Sequence, residues 1–288
     1  MRKTPYYSVR TGKNQLSQSF GLATMRDLFK TLFVDFEDKG YFQEAFGYQC
    51  VDAGFVPGTL GQNLAGALLL ALRKDNLTPI GLRIDNYAED DLFDVIEFLY
   101  EHCSRPIKED GYHHTFSQCG WHFNSFERDP GRREYRERIN ELLALYESGY
   151  ELSDDGELLT LADDGLGDLF DAELPEIDPE NINGRVAAAK TKFRRYRSSL
   201  DERRDAVRDL ADVLEYLKPR AHAVLDSADE SDLFHLANKF GIRHHNSNQK
   251  TSYSKPIWYS WMFYYYLATI HAVVRLIKEA EKAEVKGG

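Results

Sequence analysis

The sequence predicts a mainly α-helical protein, with an antiparallel helical bundle at the C-terminal end and an N-terminal domain that is mostly helical and contains a small β-hairpin. Three observations predict this class. Apolar residues recur three or four positions apart along most of the chain, as on the buried face of a helix. Polar and apolar residues alternate on both sides of one Asp155-Gly156 dipeptide, which is typical of a tight hairpin turn. A polar, proline-marked stretch divides the chain.

Four helices are predicted in the N-terminal part, at residues 24–39, 60–74, 88–103 and 132–146. The first is followed by Gly40, a residue type that commonly ends a helix. The third has Glu89, Asp90 and Asp91 in its first turn, where the helix dipole favours negative charge. Residues 150–161 then form the predicted hairpin. The N-terminal domain is assigned to residues 1–175, with a sensor or regulatory role.

Four further helices are predicted beyond Pro179, at residues 182–197, 200–217, 229–240 and 255–284. They form the bundle, which is assigned to residues 179–288. Ser199 and Glu202 match a capping box at the start of the second of these helices. The last helix is apolar on nearly every face, which predicts burial in the core, with dimerisation as the alternative.

Charge and composition exclude some classes of function. The chain has 36 Lys and Arg residues against 47 Asp and Glu residues, and a formal net charge of −11, which argues against sequence-blind binding to nucleic acid or anionic membrane. Residues 256–277 are apolar enough to resemble a membrane span, but Ser260, His271 and Arg275 favour a buried helix. The polar N terminus and the three cysteines favour a cytoplasmic protein with reduced thiols and no membrane partner.

The link between the last two helices carries the candidate catalytic residues Arg243, His244, His245 and Asn246. An imidazole can take a proton from a ribose hydroxyl or give one to a leaving oxygen. A guanidinium group binds phosphate and stabilises the charge that develops on it. Such a set can cleave RNA without a metal or a cofactor. The alternative is that these side chains satisfy backbone groups in a connection between helices.

Two further groups of residues invite functional interpretations. The candidate RNA-binding residues are basic: Lys190, Arg194, Arg195, Arg197 and Lys250. All of them except Lys250 lie in one cluster, and the alternative for that cluster is a solvated helix face. A second group contains the potential metal ligands His102, Cys103, His113, His114, Cys119 and His122. Only the pair Cys119 and His122 has metal-ligand spacing. The preferred interpretation is therefore that these residues are buried thiols and hydrogen-bonded histidines and form no metal site. A zinc-dependent enzyme is the alternative.

The bundle and its arginine–polar pair resemble the HEPN superfamily, whose hallmark is an arginine, a polar residue, a short gap and a histidine. Arg243 matches the arginine and His244 matches the polar residue, but the trailing histidine would fall at 248–250, where the sequence is Asn-Gln-Lys. The resemblance covers about residues 179–288. It implies a metal-independent ribonuclease that works as a homodimer, in which His244 or His245 activates the 2′-hydroxyl, Arg243 stabilises the phosphorane-like charge and Asn246 orients the imidazole or the phosphate.

The string from Cys119 to Glu157, with Gly131-Arg-Arg-Glu-Tyr135 within it, resembles an N-terminal module of bacterial abortive-infection (AbiJ-type) proteins, which is often fused to a HEPN-like domain. Together the two resemblances imply a ribonuclease toxin of anti-phage defence. Its partners would be RNA, either tRNA or mRNA, a second copy of the chain, and a phage-derived trigger or an antitoxin. The alternative is a non-catalytic HEPN-like sensor or scaffold of a defence system.

Overall fold

Apolar side chains at helical spacing form two separate cores, one in each of two units, Met1–Leu161 and Ala162–Gly288. The computed structural model describes residues 6–11, 13, 19–114, 119–162, 165–224 and 254–287, and of residues 284–287 it describes the backbone. Helices account for 61% of it, which confirms the mainly α class. No helix within these ranges is long and apolar enough to cross a membrane.

Three long helices carry most of the N-terminal core. The helices of this unit are α1 (Tyr7–Arg10), α2 (Leu22–Asp38), α3 (Gln43–Phe46), α4 (Leu64–Leu72), α5 (Ile80–Arg83), α6 (Glu89–Glu101) and α7 (Arg128–Leu143). The apolar stripe of α2 is buried, and its Phe36 meets Tyr135 of α7 edge to face, with ring centroids 5.4 Å apart. Gly131 lets α7 approach the chain at Ser104, because a Cβ there would lie 2.6 Å from the Cα of Ser104. The four predicted N-terminal helices correspond to α2, α4, α6 and α7.

The strands of the N-terminal unit are two or three residues long: β1 (Tyr48–Cys50), β2 (Gly54–Val56), β3 (Arg105–Pro106), β4 (Gly111–His113), β5 (Trp121–Phe123), β6 (Phe126–Glu127), β7 (Tyr150–Leu152) and β8 (Leu158–Thr160). In the described part of the chain they pair antiparallel as β1–β2, β3–β6, β4–β5 and β7–β8. The predicted hairpin is confirmed as β7–β8, with Gly156 at φ 84° in its turn. The side-chain amide of Asn140 on α7 holds β7 by bonds to both the N–H and the C=O of Leu152.

The C-terminal unit contains α8 (Gly167–Asp171), a π-helical turn (Pro179–Asn183), α9 (Gly184–Arg194), α10 (Leu200–Ala221) and α11 (Lys255–Gly287). The core lies between α9, α10 and α11, and Phe170 of α8 joins it by stacking on Phe263, with ring centroids 5.6 Å apart. This unit begins at Ala162, so α8 and the π-helical turn belong to it. The predicted helix at 229–240 lies outside the described residues.

Contacts at both ends show that α10 and α11 run in the same direction. Near their N-terminal ends, Phe193 of α9 stacks on Phe263 of α11 at 4.0 Å, and the guanidinium of Arg203 on α10 lies over the same Phe193 ring at 5.4 Å. Near their C-terminal ends, Arg220 pairs with Glu281 at 2.5 Å. Residues 222–254 therefore connect opposite ends of this pair. The Ser199–Glu202 capping box at the start of α10 is confirmed.

Acid is expected to destabilise the C-terminal unit through His271. This imidazole on α11 is 5% exposed, and neither ring nitrogen has a hydrogen-bond partner among the described residues. Burial, with Arg275 and Lys190 nearby, lowers the pKa of His271 below its ordinary value. The folded state therefore holds the neutral form, and stability is lost as the pH falls through the unfolded-state pKa of about 6.5.

Urea unfolding, followed by tryptophan fluorescence at several pH values, checks this. The wild type should lose stability from about pH 7.5 to about pH 5, and His271→Leu should lose less. His102 and His122 also have lowered pKa values and remain in both proteins, so the difference between the two isolates His271. Equal pH dependence in the two proteins would contradict the assignment.

Candidate functional site

The sequence-predicted catalytic residues belong to the segment between α10 and α11. Arg243, His244, His245, Asn246 and the RNA-binding candidate Lys250 lie outside the described residues. The structure describes the two helix ends that flank this segment, which are the end of α10 and the start of α11. The predicted catalytic set therefore stays a prediction.

The remaining basic candidates divide into two packed side chains and two exposed ones. The ammonium group of Lys190 donates a hydrogen bond to the carbonyl oxygen of Phe170 and lies 5.9 Å from the centre of its ring. The guanidinium of Arg194 lies 5.1 Å from the same ring, and the residue is only 8% exposed. Arg195 and Arg197 are exposed. A phosphate can reach the two exposed side chains, whereas Lys190 and Arg194 help to hold α8 against α9.

A different set of side chains converges in the N-terminal unit. The sulfur atoms of Cys50 and Cys119 and one ring nitrogen each of His114 and His122 all lie within 4.8 Å of one another. Sγ of Cys119 is 3.2 Å from Nε2 of His122, and Sγ of Cys50 is 4.0 Å from Nδ1 of His114. We refer to these four residues as the Cys/His cluster. Among the described residues, these four are the potential metal ligands that the fold brings together at one point.

Two hairpins position the Cys/His cluster. Cys50 is the last residue of β1 and is 3% exposed. His122 lies in the middle of β5, opposite Tyr112 of β4, and His114 directly follows β4. Cys119 lies just before β5, so its thiol is close to His122 because the two residues are neighbours in sequence. Cys50 belongs to the other hairpin and lies 64 residues before His114 in the sequence.

Aromatic side chains cover one of the histidines. The ring of Tyr48 stacks on His122 with centroids 4.2 Å apart, and the Tyr48 and Tyr112 hydroxyls lie 3.4 Å from each other. That hydrogen bond, together with burial, raises the pKa of Tyr48 to about 12. Burial, and then the neighbouring His114 and His113, lower the pKa of His122. Its imidazole is therefore held neutral, which is the form that can bind a metal.

Sequence reasoning identified part of this cluster and missed the rest. Of the six residues grouped by proximity in sequence, His114, Cys119 and His122 belong to it. Cys103 is instead a buried thiol 3.5 Å from the carbonyl oxygen of Gly131, and His102 packs against Phe98. The preferred interpretation of buried thiols fits Cys103, but it does not explain why four side chains of ligand type converge. Cys50 carried no local signal, because its partners are distant in sequence.

No protein-family model, no curated protein sequence and no solved structure matched this chain. The resemblances to the HEPN superfamily and to AbiJ-type proteins therefore rest on the motifs quoted from the sequence.

Because Arg194 is packed against Phe170, its replacement is expected to lower the free energy of unfolding, which replacement of a solvated arginine would not do. Arg194→Ala should lower the free energy of unfolding by about 1–2 kcal/mol, through the lost contact of its guanidinium and its stem with Phe170. Arg185→Ala, an exposed position on the same helix, is the matched control and should change it by less than about 0.5 kcal/mol. Denaturant unfolding of both variants measures the difference, and equal effects would mean that Arg194 is not a packing residue.

Proposed function

We propose that this chain is a HEPN-like ribonuclease of anti-phage defence, which cleaves RNA without a metal and works as a homodimer. The observation that supports this most is the helical C-terminal unit, in which residues 222–254 connect opposite ends of α10 and α11. That connection carries Arg243, His244, His245 and Asn246. A polar segment on a rigid helical frame is a common location for a catalytic site.

In the proposed reaction, the imidazole of His244 or His245 removes the proton from a ribose 2′-hydroxyl. The oxygen attacks the adjacent phosphorus, and the 5′-oxygen of the next nucleotide leaves with a proton, which gives a 2′,3′-cyclic phosphate end. Arg243 stabilises the extra negative charge on the phosphate oxygens, and Asn246 orients the imidazole or the phosphate. Arg195 and Arg197 are the described basic residues that we assign to contacts with the RNA backbone.

Exposed apolar residues on α11 support the homodimer. Ile257 is 69% exposed and Trp261, one helical turn later, is 42% exposed. Such side chains gain stability when a second surface covers them. The trigger is proposed to be a phage component, or release from an antitoxin.

A non-catalytic sensor or scaffold is the second candidate, and one observation favours it. The hallmark histidine would stand at residues 248–250, where the sequence is Asn-Gln-Lys. Without that group, the site depends on His244 or His245 for proton transfer. A scaffold would keep the fold and the dimer and would lose the chemistry.

Induced expression separates the two candidates. The wild type should arrest growth, and Arg243→Ala and the double variant His244→Ala/His245→Ala should both relieve the arrest. Asn248→Ala, in the same segment but outside the proposed catalytic set, is the matched control and should remain toxic. With purified protein and RNA in buffer without added divalent metal, cleavage by Arg243→Ala should be about 10²–10³-fold slower than wild type.

Analysis of the cleaved ends completes the test, since the proposed reaction leaves 2′,3′-cyclic phosphates. If the wild type neither arrests growth nor cleaves RNA, or if both variants behave like the wild type, the ribonuclease proposal fails. A stable dimer without either activity would instead favour the scaffold.

A further inference from the structure

We infer that Cys50, His114, Cys119 and His122 bind one Zn²⁺ ion, and that this ion has a structural role in the N-terminal unit. The inference concerns a different unit from the proposed ribonuclease site and does not depend on it. It rests on three properties of the Cys/His cluster: the distances between ligand atoms, the chemistry of the ligands, and the weakness of the hairpins that they join.

The spacing of the four ligand atoms is close to that of a tetrahedral site. With Zn–S bonds of about 2.3 Å and Zn–N bonds of about 2.0 Å, a tetrahedral ion holds its ligand atoms about 3.3–3.8 Å apart. In the cluster, two of the separations are 3.2 Å and 4.0 Å, and none exceeds 4.8 Å. Binding therefore requires movements of at most about 1 Å, which side-chain rotation supplies.

The ligand types select the ion. Thiolate sulfur and imidazole nitrogen are ligands of zinc, whereas magnesium and calcium take oxygen ligands. Two thiolates also neutralise the charge of one Zn²⁺, so the complex carries no net charge at a site where Cys50 is 3% and His122 is 0% exposed. A neutral complex avoids the large free-energy cost of burying an unpaired charge.

Four protein ligands make the site a structural one. A catalytic zinc keeps one coordination position for water or substrate, and two cysteines with two histidines leave none. The aromatic cover on His122, with Tyr48 stacked at 4.2 Å, leaves no approach for a substrate on that face. The structure therefore assigns the ion a role in folding, and the zinc-dependent enzyme considered from the sequence is not the interpretation that this ligand set favours.

The hairpins that the ion would join need such a link. Both β1–β2 and β4–β5 have strands of three residues, and a single two-stranded hairpin is marginally stable in water. Cys50 belongs to the first hairpin, and the other three ligands lie in or beside the second. One ion would thus fix the two hairpins to each other, as a small apolar core does in larger sheets.

Metal analysis of the purified full-length chain tests the inference. The wild type should contain close to one zinc per chain, and Cys50→Ser, Cys119→Ser, His114→Ala and His122→Ala should each lose it. The matched controls are His113→Ala, whose side chain points to Trp121, and Cys103→Ser, a buried thiol outside the cluster; both should keep the metal. Cobalt substitution should give the visible bands of a tetrahedral ion and a thiolate charge-transfer band.

A measurement on the wild type alone covers the case in which the ligand variants fail to fold. Removal of zinc with a chelator should lower the melting temperature by about 10 °C or more, and added zinc, but not magnesium, should restore it. These readouts do not involve RNA, so they are independent of the ribonuclease test. The inference is overturned if the wild type contains no zinc and gives no cobalt–thiolate band, if the ligand variants keep their zinc, or if Cys50 and Cys119 form a disulfide in the purified chain.

Discussion

The N-terminal unit depends on one constraint, which is that its strands are too short to hold themselves in place. Sheets of two or three residues per strand bury little apolar area and make few backbone hydrogen bonds, so their positions have to be fixed from outside. Side chains do this in different ways. Asn140 fixes β7 to a helix through two backbone hydrogen bonds, and Gln43 holds β5 by accepting from the N–H of Phe123 and donating to the carbonyl oxygen of Trp121. For β1–β2 and β4–β5, the Cys/His cluster supplies the link.

The C-terminal unit differs from the N-terminal unit, because its long helices bury whole faces against one another. Helices α10 and α11 run in the same direction, which requires a long connection between them. In the sequence, that connection is where polar side chains and histidines concentrate. The basic residues at the end of α9 lie in different environments, since Arg194 is packed on Phe170 while Arg195, its neighbour in sequence, is exposed.

Helical periodicity predicted the long helices well, because burial of one face depends on residues that are close in sequence. Ends were less predictable. The predicted helix at 60–74 begins only at Leu64, since Gly61 has φ 79° and the Asn63 side chain caps the helix by accepting from Gly66. Helix α7 begins before the predicted Arg132, because Pro130 fits the first turn of a helix. The Asp155-Gly156 turn identified one hairpin, whereas the other strand pairs, with two or three residues per strand, show too little alternation to be recognised.

The candidate metal site could be predicted only in part, for the same reason of sequence distance. Cys119 and His122 are three residues apart and visible as a pair, but Cys50 meets them only after the chain has folded. The arginines at the end of α9 have the same limit: their shared charge is visible in the sequence, while the packing of Arg194 depends on Phe170 of α8, 24 residues earlier in the chain.

The long separation between Cys50 and His122 also has a consequence for synthesis on the ribosome. Cys50 leaves the ribosome 72 residues before His122, the last of the four ligands. At about 5–20 residues per second, the first hairpin waits roughly 4–14 s for the rest of its site. During that interval the Cys50 thiol is exposed to oxidants and to other nascent chains. Translation speed and the zinc supply at the time of synthesis would therefore influence the yield of correctly folded protein.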